Sequence, residues 1–372
     1  MNRQNYGFIY NELIFDISAN IVTKRSKHPD GITKLRKEIN FYNSVSKLNI
    51  PLPFYIPSLC ISPLTSTTLC VSTPELCIEY FPHHEPLTER FPYRDPSAGR
   101  DTIREILDHI TPLHKYSPRV NLSLNEYKVA IRTEIMDKII ERYYSTDWIR
   151  VHSEFERIAY VNNRRVKSLF DYVHAIQKRI FYLIDIQFYR ESFGRLSELA
   201  PPVSRVNDIG VLTYIHGDIH LGNIMVPRTD CIDKDTDKYV FIDPRGYFAS
   251  YDLYGEPRYD YAKLLFGVSG YSLFDQMEIQ SLDISPFYNE LFKEQNVSSS
   301  LNINIPFIDD YCDIYEKVRE PEWTNVLPEM DEITILLSLS IWLGNNSTFV
   351  APEKKLTSLM ISRYLCERYM RI

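Results

Sequence analysis

Two short segments, His216-Gly-Asp-Ile-His220-Leu-Gly-Asn223 and Phe241-Ile242-Asp243-Pro-Arg-Gly246, constrain this chain more than any other part of it. Each sets oxygen-bearing side chains beside glycine and next to a short apolar run. Glycine is scarce, at 12 residues in 372, yet seven of the twelve lie between Gly210 and Gly270. The residue used where backbone turns sharply or approaches a ligand closely is concentrated in one region. The apolar runs at 211–215, 224–226 and 239–242 are too short for helices and read as strands, with the polar stretch 228–238 joining two of them as a loose hairpin. Whatever the rest of the chain adopts must present the two segments as loops on that hairpin.

An aspartate followed five positions on by an asparagine, then a second aspartate closing an apolar run, supplies what kinase-type phosphoryl transfer needs. One carboxylate, Asp218, orients and deprotonates an acceptor hydroxyl. The Asn223 amide oxygen and the Asp243 carboxylate hold magnesium on the nucleotide phosphates, since magnesium takes hard oxygen ligands and few of them from protein. His216 and His220 complete the candidate catalytic set, His216 as a hydrogen-bonding residue of the loop and His220 as its partner or a site-lining group. No other histidine lies near them in sequence, which argues against a zinc or iron centre.

A second constellation lies near the N-terminus. Lys24 ends an extended run, and Glu38 falls near the apolar face of the helix that follows, where an acid needs a partner. A strand lysine on the nucleotide phosphates, held by a helix carboxylate, is the matching kinase arrangement, with Lys27 the rival for the lysine role. Glu79 and Phe81 end the last strand before a hinge, where backbone groups face an adenine edge, and join Lys24 and Glu38 as candidate nucleotide-binding residues. Arg245 and Arg258 flank the Asp243 loop. Either suits an anionic acceptor group, and Arg258 equally suits a structural pair with Asp260 or Glu256.

Residues 1–85 read as a small β-rich lobe. It has an extended run at 13–23, a helix at 32–48 stopped by Pro51 and Pro53, and short strands at 60–62, 68–72 and 76–80. Proline-rich 81–86 is a stiff connector and the expected boundary. Residues 86–372 form the second lobe. Helical periods cover 102–114, 125–144 and 165–193, the β hairpin follows, and helices return from 260 to 372 around a mobile loop at 295–304. Segregated strands and helices indicate the α+β class.

The net charge of −7 excludes the basic footprint of a nucleic-acid binder. Fourteen acids against three bases at 275–332 read as a solvated face or as a wall for a cationic acceptor. Six cysteines without a C-x-x-C pair fit a reducing compartment, and no apolar run is long enough to span a membrane. With a polar N-terminus, these features give a cytoplasmic location as the expectation.

The 216–223 segment resembles the H-G-D-x-H-x-x-N signature of the aminoglycoside phosphotransferase and choline kinase superfamily, and Ile242-Asp243 resembles its metal-binding motif. The Phe241–Gly246 run, followed by Tyr254-Gly255-Glu-Pro-Arg-Tyr-Asp260-Tyr-Ala-Lys-Leu264, is similar to a bacterial branch of capsular polysaccharide biosynthesis proteins. The resemblance is sharpest over 216–265. It departs at Gly255-Glu256-Pro257, where the branch has Gly-Asp, and at His220, which follows the wider superfamily instead. The helical block 120–200 has no counterpart in it.

The resemblance implies a bilobal protein-kinase-like fold, with a small β-rich N-lobe and a large, mainly helical C-lobe. By it, Asp218 is the catalytic base, Asn223 and Asp243 are magnesium ligands, Lys24 and Glu38 are an ion pair, and Asp260 braces the catalytic loop. ATP or GTP is the implied donor, and the implied acceptor is a hydroxyl on a sugar or surface-polysaccharide precursor. An aminoglycoside- or choline-type acceptor is the alternative, as is a non-catalytic or nucleotidyl-transferring protein.

Overall fold

Asp16 sets the first turn of the chain. Its Oδ1 accepts from the Ser18 and Ala19 N–H groups, both at 3.1 Å, and from the Ser18 hydroxyl at 2.6 Å. Such an aspartate-centred turn competes with continued extension. Asn20 follows at φ +53°, a left-handed conformation that asparagine tolerates. The 13–23 run, expected as one extended stretch, is therefore folded back into a hairpin of strands β1 (Asn11–Asp16) and β2 (Ile21–Ser26). The computed structural model describes residues 11–26, 28–48, 52, 56–59, 74–144, 158–193, 210–229, 239–277, 279–289, 294–305, 313–345 and 352–370.

Strand β3 (Glu75–Glu79) completes an antiparallel sheet of order β1-β2-β3, setting Leu76 opposite Lys24 and Glu79 opposite Ile21. The strands expected at 60–62 and 68–72 lie outside the described residues. Helix α1 (Pro29–Val45) starts earlier than its apolar period indicates. Pro29 opens it, where a missing N–H is harmless, and the His28 ring accepts from the Asp30 N–H at 3.3 Å. The helix ends at Val45, ahead of both prolines. Leu35 and Tyr42 on its inner face pack with Leu76 of β3.

The connector at 81–86 also serves as sheet. Strand β4 (His84–Pro86) edges a three-stranded antiparallel sheet whose middle strand is Ile224–Pro227 and whose far strand is Val240–Phe241. An edge position is where a strand tolerates proline. Helix α2 (Pro96–Tyr116) follows, and strand Val211–Tyr214 pairs antiparallel with Tyr254–Gly255.

Two compact units emerge: Met1–Phe91, Thr102–Val120 and Leu212–Asp260 form one, and Pro92–Asp101, Asn121–Val211 and Tyr261–Ile372 the other. The second is built mainly on helices Leu124–Ile131, Lys138–Tyr144, Leu169–Phe193, Glu332–Gly344 and Pro352–Tyr369. Arg165 belongs to a strand rather than to the helix expected from it. Arg164–Arg165 pairs with Ile158–Val161 across Asn162 and Asn163, both left-handed, and the helix begins after Ser168, whose hydroxyl accepts from the Asp171 N–H at 3.1 Å.

The largest departure lies at 279–303, expected as helix with a mobile loop. Strands Ile279–Asn289 and Glu294–Ile303 pair antiparallel there, and the latter runs parallel to Ile158–Val161. Serine, asparagine and proline weaken a helix interior, and the isoleucines, valine and phenylalanine between them favour extended backbone. Strands and helices together make the chain α+β, as its sequence indicates. No helix among the described residues is long and apolar enough to cross a membrane.

Candidate active site

Strand Val211–Tyr214 delivers the chain to His216, and Gly217 turns it at φ +79°. A Cβ on Gly217 would come within 3.1 Å of the Arg245 Cβ, so the two loops touch here. The turn is held by Asp260, which is fully buried on helix Pro257–Val268. Its Oδ2 accepts from the His216 N–H at 2.9 Å and its Oδ1 from the Gly217 N–H at 2.6 Å. His114 Nε2 of α2 lies 2.9 Å from the same Oδ2. A buried carboxylate requires this density of donors. His114 was not foreseen, because a single histidine in the last turn of an amphipathic helix carries no local sign of a partner 146 residues away.

The two loop histidines use their rings on backbone. His216 Nδ1 accepts from the Asp218 N–H at 3.3 Å, and its ring meets Phe41 and Phe241 edge-on, centroids 6.1 and 6.2 Å away. Burial holds its pKa below the usual histidine value despite the opposing pull of Asp260, Asp218 and Asp243, so the ring is neutral at pH 7. His220 Nδ1 accepts from the Gly222 N–H at 3.2 Å and caps the 3-10 turn Leu221–Asn223. That turn aims Asn223: its Nδ2 donates to the Asp218 carbonyl at 2.9 Å, which leaves the amide oxygen as the atom to present.

Asp243 follows strand Val240–Phe241 with φ +56°, a left-handed conformation that is costly for a residue with a Cβ and clusters at functional sites. The surrounding contacts enforce it. Arg245 and Gly246 N–H groups both donate to the His216 carbonyl, at 2.8 and 3.0 Å, and the Ile242 N–H donates to the Asn223 carbonyl at 3.0 Å. Gly246, at φ +61°, sits where a Cβ would come within 2.9 Å of the Phe41 Cβ.

Lys24 Nζ donates to Glu38 Oε2 at 2.7 Å and also contacts Asp243 Oδ1. Glu38 is 6% exposed at its side chain and Asp243 44%, so one carboxylate is internal and the other reachable. Although burial alone would lower the Lys24 pKa, the Asp243 and Glu38 carboxylates raise it, so the ammonium persists at all ordinary pH. Burial pushes Glu38 up to about 8, with the Asp243 charge adding to the shift and Lys24 opposing it. The unfolded chain releases that proton near 4.5, so between pH 4.5 and 8 the folded state binds the proton more tightly, and stability falls as pH rises through this window. Glu38→Gln removes the liability. Its melting temperature is expected to gain on the unsubstituted protein from pH 4.5 to 8 and then level off, in melts recorded at pH 4 to 9. A difference independent of pH would contradict this.

Glu79 and Phe81 lie toward the far end of β2 from Lys24: Glu79 faces Ile21, its N–H donates to the Ser58 carbonyl at 3.3 Å, and the Phe81 ring meets His84 edge-on at 5.5 Å. Arg258, buried, pairs with Glu256 Oε1 at 3.2 Å, which selects the structural one of its two readings. Lys27 is outside the described residues.

No model of a known protein family matches the sequence, and no curated protein matches it. Among solved structures the chain is similar to an ADP-bound aminoglycoside phosphotransferase, at 10% identity over 96% of this chain and 90% of that one, with a TM-score of 0.42. It is similar to a choline/ethanolamine kinase family protein from Mesorhizobium loti, at 12% identity over 99% and 88%, with a TM-score of 0.41. It is also similar to a glucosamine kinase, at 10% identity over 97% and 73%, with a TM-score of 0.41. These likenesses are distant. The functional reading rests on the residues themselves.

Proposed function

We propose that the chain is a magnesium- and nucleotide-dependent phosphotransferase acting on a hydroxyl of a small molecule, a sugar or surface-polysaccharide precursor. The observation that carries this reading is the Lys24–Glu38–Asp243 contact, set beside a braced loop that bears Asp218 and Asn223. Residues 1–85 serve as the nucleotide-binding lobe of a kinase-like bilobal fold, and 86–372 as the catalytic and acceptor-binding lobe.

Asp218 aims the acceptor hydroxyl and takes its proton as the new O–P bond forms and the bond to the nucleoside diphosphate breaks. Lys24 meets the nucleotide phosphates, and Glu38 keeps its ammonium in place. The segment from Glu79 to Phe81, at the end of β3, would offer backbone groups to the edge of the nucleotide base. His216 and His220 fix the loop that carries Asp218.

The donor set fits magnesium. Asn223 presents an amide oxygen and Asp243 an exposed carboxylate, both hard ligands. Asn223 and Asp243 would hold the ion, whose charge would offset that of the phosphates. The excess of acids at 275–332 favours a cationic acceptor as a second reading.

Nucleotide consumption by the purified protein, screened against neutral sugars, amino alcohols and aminoglycosides, tests both. A product heavier by one phosphate in the sugar arm supports the leading reading, and one in the aminoglycoside or amino-alcohol arm supports the second. Product heavier by a nucleoside monophosphate, or absence of turnover in every arm, overturns both.

A further inference from the structure

Tyr247, two residues beyond Pro244-Arg245, holds two cations on one ring. The Lys37 ammonium of α1 lies 4.0 Å from its centroid, and the Arg245 guanidinium carbon lies 3.9 Å from it. Lys37 also binds Asp252 Oδ1 at 2.9 Å, and Asp252 is the residue directly opposite Tyr247 in the hairpin of Tyr247–Phe248 with Tyr251–Asp252. Arg245 Nη1 donates to the Tyr259 hydroxyl at 2.8 Å. Lys37 thus grips both members of one cross-strand pair, and Arg245 is stacked on one ring while bonded to another.

These contacts join α1 to the Asp243 loop. Lys37 is adjacent to Glu38, which holds Lys24, and Arg245 is two residues from Asp243. Phe41, one turn along α1, abuts Gly246 in the same loop. The negative faces of an aromatic ring attract cations, and a planar guanidinium can stack on one while its edge donates elsewhere. Two like charges would otherwise repel, and the ring, with Asp252, offsets that repulsion where α1 meets the loop.

We infer that Tyr247 is a positioning residue: by binding Lys37 and Arg245 together it fixes the spacing between the Lys24–Glu38 pair and Asp243, and so the affinity for magnesium–nucleotide. The inference rests on the phosphotransferase reading above and extends it to a ring outside the proposed set of ligands. It needs no contact between Tyr247 and any substrate.

The test compares Tyr247→Phe, which keeps the ring, with Tyr247→Leu, which keeps apolar bulk and loses the ring's charge distribution. Lys37→Met, which keeps the stem and removes one cation, stands in should the leucine variant fail to fold. The readouts are the thermal shift induced by magnesium–ADP, and the KM for magnesium–nucleotide against kcat. The leucine and methionine variants are expected to bind magnesium–ADP about five- to tenfold more weakly and to raise KM more than they lower kcat, while the phenylalanine variant stays near the unsubstituted protein. Unchanged affinity in leucine and methionine variants that fold overturns the inference, as does a phenylalanine variant as impaired as leucine. If the unsubstituted protein itself shows no magnesium–ADP shift, the phosphotransferase reading fails first and takes the inference with it.

Discussion

Asp218→Asn is expected to lower phosphoryl transfer by about 10²–10⁴-fold while magnesium–nucleotide binding stays within about twofold of normal. The asparagine keeps the size of the side chain and can still accept a hydrogen bond from an acceptor hydroxyl, but it cannot take the proton. The loop itself should not move. Its geometry depends on the Asp218 backbone, whose carbonyl receives Asn223 Nδ2 and the His220 N–H, and on the Asp260 brace. The measurement is single-turnover transfer beside a nucleotide thermal-shift titration. Near-normal turnover would remove Asp218 from the role of base, and loss of nucleotide binding would make it a structural residue instead.

Asp243→Asn is expected to act on the other side of the reaction, lowering turnover by about 10²–10³-fold. It should also shift the magnesium concentration needed for half-maximal nucleotide binding upward by about tenfold or more, since one charged ligand becomes neutral. The variant also loses the carboxylate that Lys24 shares with Glu38. Titrating magnesium at fixed nucleotide separates the two effects. A variant with reduced turnover but an unaltered magnesium dependence would assign Asp243 to holding Lys24 rather than the metal.

The two substitutions draw on different amounts of sequence information. His216, Asp218, His220 and Asn223 lie within eight residues of each other, so their grouping is a local matter that spacing records directly. Lys24 and Glu38 are close in sequence, and a strand followed by a helix brings them within reach by ordinary geometry. Their meeting with Asp243 is not local, and only the type of residue hinted at it.

His114 shows the limit more sharply. Its contact with Asp260 is decided by how α2 lies in the folded unit, and nothing in neighbouring residues marks it. The fold was legible where periodicity is strong, as in α1 and α2. It was illegible where a turn is made by side-chain chemistry, as at Asp16, or where a short segment such as His84–Pro86 becomes a strand only because a partner is available. The 279–303 hairpin belongs to the same class: its pairing, not its composition alone, decides between helix and strand.

The distances along the chain that the site must close have a consequence for when activity can arise during synthesis. Lys24 meets a residue 219 positions later, and His114 meets one 146 positions later. Such closures come late in folding, because their entropy is spent before the contact returns anything. Until Asp260 has left the ribosome, His216 and Gly217 lack the carboxylate that shapes their turn, and no shorter nascent chain holds the assembled loop. The assembled site is thereby withheld from incomplete products, and a fragment ending before that aspartate would carry Lys24 and Glu38 without the braced loop beside them.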